Sequence, residues 1–313
     1  MAGSRLTPTG ESAGAPPGEA SLRPRAVPAR TARIRRSARA FGGSPAAAVA
    51  VAVVVASIVV AVAAPLIAPY NPDATNILQR LQGPSAAHWF GTDELGRDLL
   101  SRVIYGGRVS LLTAGIAVAG ASVVGVTLGM VSGYFGGWAE TLIMRVIDIL
   151  LAIPAILLAM GLIAVIGRGT LNAAIAVTVV SAPAFARIAR ASTLSLRQSD
   201  FIASTRIAGA SNRYLLARTI LPNILNPIVV QMAITGATAI LFESGLSFLG
   251  LGTQPPTPSW GQMLSDSETY LTQTPWYGVA PGLFLTVNVL ALDVVSRFLQ
   301  RVTGSKITGE LSL

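Results

Sequence analysis

The feature of the sequence that most restricts its fold is an almost wholly apolar run from residue 46 to residue 68, which contains no charged side chain. A helix of about 20 such residues crosses the ~30 Å hydrocarbon layer of a bilayer. A secretory signal is the alternative, since basic residues precede the run, but the apolar part of a signal spans only about 7–15 residues. We therefore predict a retained first transmembrane helix at residues 46–69.

Five further apolar runs of similar length follow. Charged residues make up 12% of the chain, against about 25% in soluble proteins, which argues against a soluble enzyme. Pro154, Pro183 and Pro281 lie inside these runs and predict kinks or released carbonyls. The fold class predicted is an all-α membrane protein with six transmembrane helices, the last five of which are Val109–Val131, Leu142–Ile166, Leu171–Thr193, Ile224–Leu246 and Tyr277–Val295.

The distribution of basic residues predicts the orientation of these helices. The net charge is +9, and 17 of the 23 lysines and arginines fall in residues 1–45, 187–218 and 297–313, which share one side of a six-helix membrane protein. Basic loops stay in the cytoplasm, so both termini are predicted to be cytoplasmic, and the charge needs no nucleic acid to explain it. Residues 1–45 are predicted to be a disordered basic cytoplasmic arm, and residues 301–313 a cytoplasmic tail.

The sequence offers few groups for catalysis or cofactor binding. It has no cysteine and a single histidine, His88, which leaves no thiolate site and little scope for histidine ligands. Asp93, Glu94 and Asp98 offer carboxylates to a divalent metal, but the arginines between them would neutralise the site. A phosphate-binding loop and the common hydrolase motifs are also missing from the sequence. We predict no metal, no cofactor in this chain and no enzyme activity of its own.

Residues 70–108 are predicted to be an extracytoplasmic segment that contains an amphipathic helix. Thr92 is a plausible N-cap, and the apolar residues from Leu95 to Ile104 then share one helical face. Such a helix would lie on the outer membrane surface before the second span. Its opposite charges, spaced four residues apart, fit simple ion pairs on the polar face.

Glycines four residues apart in the second span predict close packing of another helix. Gly125, Gly129 and Gly133 leave a smooth face on which a neighbouring backbone can approach. The raised glycine content of membrane helices is the simpler explanation of the same pattern. Helix packing is the role we predict for these three positions.

Four ionisable residues lie within or beside the predicted spans: Arg145, Asp148, Glu243 and Asp293. Such residues are costly in lipid and are functional candidates by default. The first two are three residues apart and are expected to neutralise each other. The other two lie near opposite membrane surfaces, from which they can reach water, so a proton relay is not favoured.

The predicted cytoplasmic loop between the fourth and fifth spans has helical patterning. Ser199 or Asp200 is a candidate N-cap of a short helix, and Gly209 is suited to end it. A second helical stretch begins at Arg213 and is expected to be interrupted by Pro222. Ordinary positive-inside charge explains the arginines, but a loop of this length on a tightly looped protein favours a docking surface.

Four segments, in this order, carry a resemblance to a known family. They are FGTDELGRDLLSR at Phe90–Arg102 followed by Gly107, Arg108, Ser110 and Leu111; RVIDILLAIP at Arg145–Pro154; the loop at Arg197–Asn223; and ESGLSFLGLGTQPPTPSWGQML at Glu243–Leu264. In these four segments the chain resembles the C-type inner-membrane permease subunits of ABC importers for dipeptides, oligopeptides and nickel. The loop is similar to the family's EAA loop, but Ala203-Ser204-Thr205 stands where the family has Glu-Ala-Ala. The ending at residues 293–301 also departs from the family pattern.

The resemblance implies a type I ABC importer permease fold with a cytoplasmic coupling helix, in which residues 109–300 form the permease domain with its five spans. It implies a place in the cytoplasmic membrane beside a homologous permease subunit, two ABC ATPase subunits that bind ATP and Mg, and an extracytoplasmic substrate-binding protein. The partners expected are these proteins and membrane lipid, and not nucleic acid. The implied cargo is dipeptides or oligopeptides, with nickel chelates or glutathione-like compounds as the alternative and an ion-coupled secondary transporter as the less favoured class.

The resemblance also implies roles for two groups of residues. The ATPase-coupling loop would contain Ala203, Ser204, Thr205, Gly209, Arg213 and Pro222. The extracytoplasmic helix, shaping the vestibule or the face for the binding protein, would contain Asp93, Gly96, Arg97, Asp98 and Arg102.

Overall fold

The structure, a computed structural model, describes residues 44–310, with side chains as far as Val302. The predicted basic arm at residues 1–45 therefore lies outside the described residues except for its last two, and so do residues 311–313 of the predicted tail. From residue 301 to Glu310 the tail continues the last helix.

α-Helices make up most of the described chain. Two short 3₁₀ helices, Ile77–Gln79 and Glu268–Tyr270, lie in the connections, and residues 44–310 form no strand. The helices are α1 (Pro45–Val62), α2 (Ala64–Ile67), α3 (Leu99–Phe135), α4 (Gly137–Ala152), α5 (Ala155–Ile166), α6 (Thr170–Arg197), α7 (Asp200–Ile207), α8 (Asn212–Phe248), α9 (Trp260–Ser267) and α10 (Trp276–Glu310).

Five of these helices, α1, α3, α6, α8 and α10, are long and apolar enough to cross a membrane. The third predicted span, Leu142–Ile166, is broken rather than kinked, because α4 and α5 meet at an angle of 99°. Ile153 is in the β conformation (φ −91°, ψ 132°), since a residue that precedes a proline avoids the α conformation. Helices α6 and α10 continue through Pro183 and Pro281.

α3 and α6 lie side by side and run in the same direction. Gly120 faces Thr178, and Gly129, further along α3, faces Ala186, further along α6. The chain must therefore return along the bundle between the end of α3 and the start of α6. Because only α4 and α5 connect them, this broken pair is a complete crossing, which gives the bundle six crossings.

The contact between α3 and α6 depends on glycine. A Cβ atom on Gly125 would lie 2.6 Å from the Cβ of Phe185, and one on Gly133 would lie 2.9 Å from the carbonyl oxygen of Arg190. Both distances are well below the about 3.5–4.0 Å at which carbon atoms attract each other. The α3 glycines therefore allow a backbone approach that no other residue would permit.

The predicted helix that begins at Thr92 is wrong. The N-cap is Asp98, whose carboxylate accepts the backbone N–H of Ser101 at 2.8 Å. The helix that follows is α3 itself, which starts at Leu99 and continues into its span, so no separate amphipathic helix precedes it.

Residues 88–98 form tight turns instead of a helix. Gly91 and Gly96 have φ values of 82° and 72°, in the left-handed region that glycine enters without steric cost. At Gly96 a Cβ atom would collide with the backbone of Asn76, whose N–H donates to the Leu95 carbonyl at 3.0 Å. The glycines thus end the helical pattern that the apolar spacing predicted.

Candidate functional site

The turn-rich segment before α3 places charged side chains in the protein interior. The Asp93 side chain is fully buried, and its carboxylate accepts the backbone N–H groups of Leu95 and Arg97 at 2.9 and 2.8 Å. The same carboxylate lies 2.5 Å from the Arg97 Nε and 3.4 Å from the Arg102 Nε. Glu94 completes this arginine–carboxylate cluster with an ion pair of 2.9 Å to Arg97.

The cluster pairs its buried charges with one another. Burial by itself would lower the pKa of the Arg97 guanidinium, but the neighbouring Asp93 and Glu94 carboxylates outweigh burial, and the pKa is raised above its ordinary value. The hydroxyl of Tyr277, on α10, donates a hydrogen bond to Glu94. The cluster therefore joins the turns to α3 and α10, and within residues 44–302 no three acidic or histidine side chains converge as metal ligands do.

Asp98 belongs to a second polar group beside this cluster. Its carboxylate lies 2.9 Å from the His88 Nδ1 and accepts the Ser101 hydroxyl at 2.7 Å. The Ser101 hydroxyl in turn accepts the backbone N–H of Tyr70 at 3.1 Å. Five residues were expected to share one helix. Three of them, Asp93, Arg97 and Arg102, instead share the arginine–carboxylate cluster. Gly96 shapes the turn, and Asp98 caps α3.

Glu243 is the polar residue whose surroundings the sequence did not predict. Its side chain was expected to reach water, but the residue is 1% exposed. The carboxylate accepts hydrogen bonds from the Ser247 hydroxyl at 2.8 Å and the Ser244 hydroxyl at 3.4 Å. Ser110 and Ser259 also interact with it. The serines in the family-like segment around Glu243 were the available signal.

These serines connect Glu243 to the backbone of the following loop. The Ser247 hydroxyl accepts the N–H of Thr253 at 3.2 Å, and the Ser110 hydroxyl accepts the N–H of Trp260 at 3.3 Å. The Ser247 hydroxyl therefore accepts from the backbone while it donates to the carboxylate. One buried side chain fixes the α8–α9 connection against α3.

The other intramembrane ionisable residues pair differently from the expectation. Asp148 forms its ion pair with Arg187 of α6 at 2.7 Å and not with Arg145, because the bundle brings α4 against α6. Asp293 pairs with Arg297, one turn later on the exposed surface of α10, at 2.8 Å.

The 197–223 segment lies at the opposite end of α3 and consists of α7, a turn and the start of α8. Ser199 occupies the N-cap position of α7 and Asp200 its first turn. Gly209 follows the helix with a φ of 85°, the left-handed geometry typical of a helix end. On α7, Ile202 is buried, whereas Ile207 is 88% exposed.

Helix α7 is attached to the end of α3 through Tyr134. The Arg206 guanidinium lies over the Tyr134 ring, 5.6 Å from its centroid, and donates a hydrogen bond of 3.3 Å to the Tyr134 hydroxyl. That hydroxyl donates to the Asn212 side chain at 2.7 Å. A displacement of α7 is therefore transmitted directly to α3 and to the start of α8.

Pro222 does not interrupt the second helical stretch, contrary to the expectation. Helix α8 runs continuously from Asn212 to Phe248 and contains a π-helical stretch at Leu215–Ile220 immediately before the proline. A wider turn of this kind lets a helix continue past a residue that lacks an N–H group. The side chains of Arg213 and Arg218 are exposed.

This end of the bundle has the properties of a docking surface rather than a catalytic site. Six of the eight residues of α7 are exposed, among them Phe201, Ala203, Ser204 and Ile207. An exposed apolar group beside arginines is typical of a protein–protein contact.

Comparisons with known proteins agree with one another. The family described as binding-protein-dependent transport system inner membrane component matches residues 125–309, and the N-terminal TM domain of oligopeptide transport permease C matches residues 33–84. A dipeptide transport system permease protein of Alkalihalophilus pseudofirmus is 45% identical over 74% of this chain and 76% of its own length.

Two further relatives and one solved structure complete the comparison. A di/tripeptide transport system permease protein of Pseudomonas aeruginosa is 40% identical over 78% of this chain and 82% of its own length. A glutathione transport system permease protein of Escherichia coli is 43% identical over 78% and 80%. An inward-facing MetNI methionine ABC transporter matches with a TM-score of 0.53 at 19% identity, over 65% of this chain and 97% of the matched chain.

Proposed function

Because the chain belongs to the family of binding-protein-dependent transport system inner membrane components, we propose that it forms half of the path by which an ATP-driven importer carries dipeptides or short oligopeptides. The chain is a multi-pass membrane protein and a transport component rather than an enzyme. Relatives named for dipeptide and di/tripeptide transport support the cargo. A homologous permease subunit would supply the other half of the path.

The orientation follows from the basic residues. Arginines concentrate in the 197–223 segment, so we assign that end to the cytoplasm and the arginine–carboxylate cluster to the extracytoplasmic side. The substrate-binding protein would then dock at the end where residues 73–98 are held rigidly by buried ion pairs. The ATPase subunits, which bind ATP and Mg, would dock at the 197–223 segment.

The attachment of α7 to α3 is the observation that carries this proposal. ATP-driven closure of two ATPase subunits has to favour one arrangement of the membrane helices over the other. A shift from 1:99 to 99:1 requires about 5.5 kcal/mol of differential binding. A short helix held by Arg206 and Tyr134 at the end of a membrane helix is suited to transmit that energy.

The departure from the family's Glu-Ala-Ala triplet fits an uncharged contact. Ala203 and Ser204 are exposed on α7, and Ile207 beyond them is 88% exposed. We assign the contact with the ATPase to this face, with Thr205 and Gly209 shaping the turn and Arg213 and Pro222 lying on the adjoining helix.

An exposed-residue substitution tests this assignment in the assembled transporter. Ile207→Glu places a charge on the proposed contact, whereas Ile77→Glu, at a 60% exposed position at the opposite end, is the matched control. We expect Ile207→Glu to lose co-purifying ATPase subunits and peptide uptake in proteoliposomes, while Ile77→Glu retains the ATPase subunits. Full retention of ATPase subunits and uptake by Ile207→Glu would contradict the docking role.

Glutathione is the second candidate cargo, since a relative named for glutathione transport is 43% identical over 78% of the chain. Uptake of a labelled dipeptide and of labelled glutathione by the complete complex, each in competition with the other, distinguishes the two. The dipeptide proposal predicts that excess glutathione leaves dipeptide uptake unchanged.

A further inference from the structure

An apolar groove of about 560 Å³ lies between α1 and α3. On α1 its wall is formed by Ile58, Ala61 and Val62, which are spaced three and four residues apart on one helical face. On α3 the wall follows the same spacing over three turns. The α3 residues are Arg108, Leu111, Leu112, Gly115, Ile116 and Ala119.

The groove is open because its floor carries small side chains. A Cβ atom on Gly115 would meet nothing within 4 Å. The flanking side chains of Val62, Leu112 and Ile116 remain 72%, 62% and 44% exposed. No part of the chain within residues 44–302 fills this space.

The Arg108 guanidinium lies at one end of the groove. Arg108 is exposed and forms none of the ion pairs found within residues 44–302. Two other arginines of the same helices differ from it, since Arg102 on α3 and Arg190 on α6 both pair with carboxylates. A cation at the edge of a membrane span is costly without a counter-charge, and residues 44–302 supply none to Arg108.

The length of the groove matches one leaflet of a bilayer. Arg108 and Ala119 are eleven positions apart on α3, which at 1.5 Å per residue is about 16 Å. Half of the ~30 Å hydrocarbon layer is about 15 Å. The Arg108 end lies toward the first turns of α3, which follow the arginine–carboxylate cluster, so the groove extends from a polar end of the bundle toward its middle.

The groove is elongated, since its volume of about 560 Å³ extends along about 16 Å of α3. An extended acyl chain is long and narrow and suits this shape. A helix of a neighbouring subunit, which is about 10–12 Å wide, would instead cover the groove from outside, and the cross-linking experiment below distinguishes that occupant.

We propose that this groove binds an anionic phospholipid, with the lipid phosphate at the Arg108 guanidinium and one acyl chain between α1 and α3. Basic groups between transmembrane helices are known to hold lipid headgroups. The apolar walls supply the affinity for the chain, and the unpaired arginine supplies the preference for an anionic headgroup. A free phosphate ion would satisfy Arg108 but would leave the apolar groove empty.

Photo-labelling tests the proposal on the full complex in lipid nanodiscs. The probes are phosphatidylglycerol and phosphatidylcholine, each with a photoreactive diazirine in one acyl chain, and labelled peptides are identified by mass spectrometry. We expect phosphatidylglycerol to label Leu112 and Ile116. One lost arginine near a membrane surface is worth about 1 kcal/mol, so Arg108→Gln should reduce the preference for phosphatidylglycerol about fivefold.

Matched variants separate the groove from the general membrane surface. Gly115→Leu fills the groove without a change of charge and should reduce labelling by both lipids. Gly161→Leu, also at an open position, and Arg168→Gln, at an exposed arginine that is likewise unpaired within residues 44–302, should label as the wild type does.

Three results would overturn the proposal. The first is labelling that Arg108→Gln and Gly115→Leu leave unchanged. The second is equal labelling by the two lipids, which removes the role of the headgroup. The third is cross-linking of the Leu112→Cys variant to another protein chain in the complex, which would make the groove a protein interface. The absence of native cysteines makes that last experiment direct.

Discussion

The substitution Gly129→Ala should push α3 and α6 apart. A Cβ atom at residue 129 would lie 2.8 Å from the Cβ of Ala189 and 2.9 Å from the backbone nitrogen of Arg190. Its contact with the carbonyl oxygen of Ala186 would be closer still. Carbon atoms attract at about 3.5–4.0 Å, so the two backbones have to separate by roughly 0.7–1 Å.

The matched control is Gly115→Ala on the same helix. Alanine favours a helix interior over glycine by about 1 kcal/mol, and this gain is common to both variants. At Gly115 the new methyl group meets nothing within 4 Å, whereas at Gly129 it overpacks a tight contact, which costs about 1–3 kcal/mol. The difference between the two variants therefore isolates the packing cost.

The free energies of unfolding can be compared by titration with SDS in mixed micelles, where the lipid groove plays no part. We expect Gly129→Ala to be less stable than Gly115→Ala by about 1–3 kcal/mol. Equal stabilities of the two variants would refute the reasoning, because they would mean that α3 and α6 do not approach each other as closely as the structure describes.

Three further predictions concern the two ends of the bundle. Gly209→Val should reduce ATP hydrolysis by the assembled transporter and Gly209→Asn should not, because a β-branched residue tolerates the positive φ poorly; equal rates would contradict this. Asp93→Asn should lower the free energy of unfolding by about 3–5 kcal/mol, since it leaves the Arg97 charge buried with fewer partners, whereas Asp73→Asn, at a half-exposed side chain, should cost about 1 kcal/mol or less. Burial raises the pKa of the Asp266 carboxyl, so the ionised carboxylate destabilises the folded state at pH values above the unfolded-state pKa of about 3.9. Asp266→Asn removes this charge and should therefore raise the melting temperature at pH 7. At pH 3, where the carboxyl of the wild type is largely protonated, the variant should lose that advantage.

The membrane helices could be predicted from the sequence because hydropathy measures a real energetic demand. A segment that crosses lipid must be apolar and must satisfy its backbone hydrogen bonds internally, so the six crossings and the family are confirmed. The course of the third crossing could not be predicted in the same way. Hydropathy carries no information about the backbone conformation of Ile153. Only the proline that follows this residue indicated a change of direction.

The buried polar groups were harder to predict than the spans. The apolar spacing after Thr92 fits a helix, yet the two glycines in the segment turn the backbone before the helix begins. Glu243 was expected to reach water because of its position near a span end. Its burial depends on serines that lie far apart in sequence, at 110 and 259, and no local pattern reveals that they meet.

The contacts along α3 indicate where the transporter is stiff and where it can change shape. This helix has 37 residues and is therefore about 55 Å long, with Arg102 in the buried cluster at one end and Tyr134 beneath α7 at the other. The glycine seam, formed by Gly125, Gly129 and Gly133, ties α6 to the second half of this helix, so the two helices should move as one body. A displacement of α7 has to be absorbed elsewhere, and the extended residue Ile153, between α4 and α5, is the interruption of a crossing best suited to absorb it. This places the hinge of the proposed transport cycle in the broken crossing rather than in the seam.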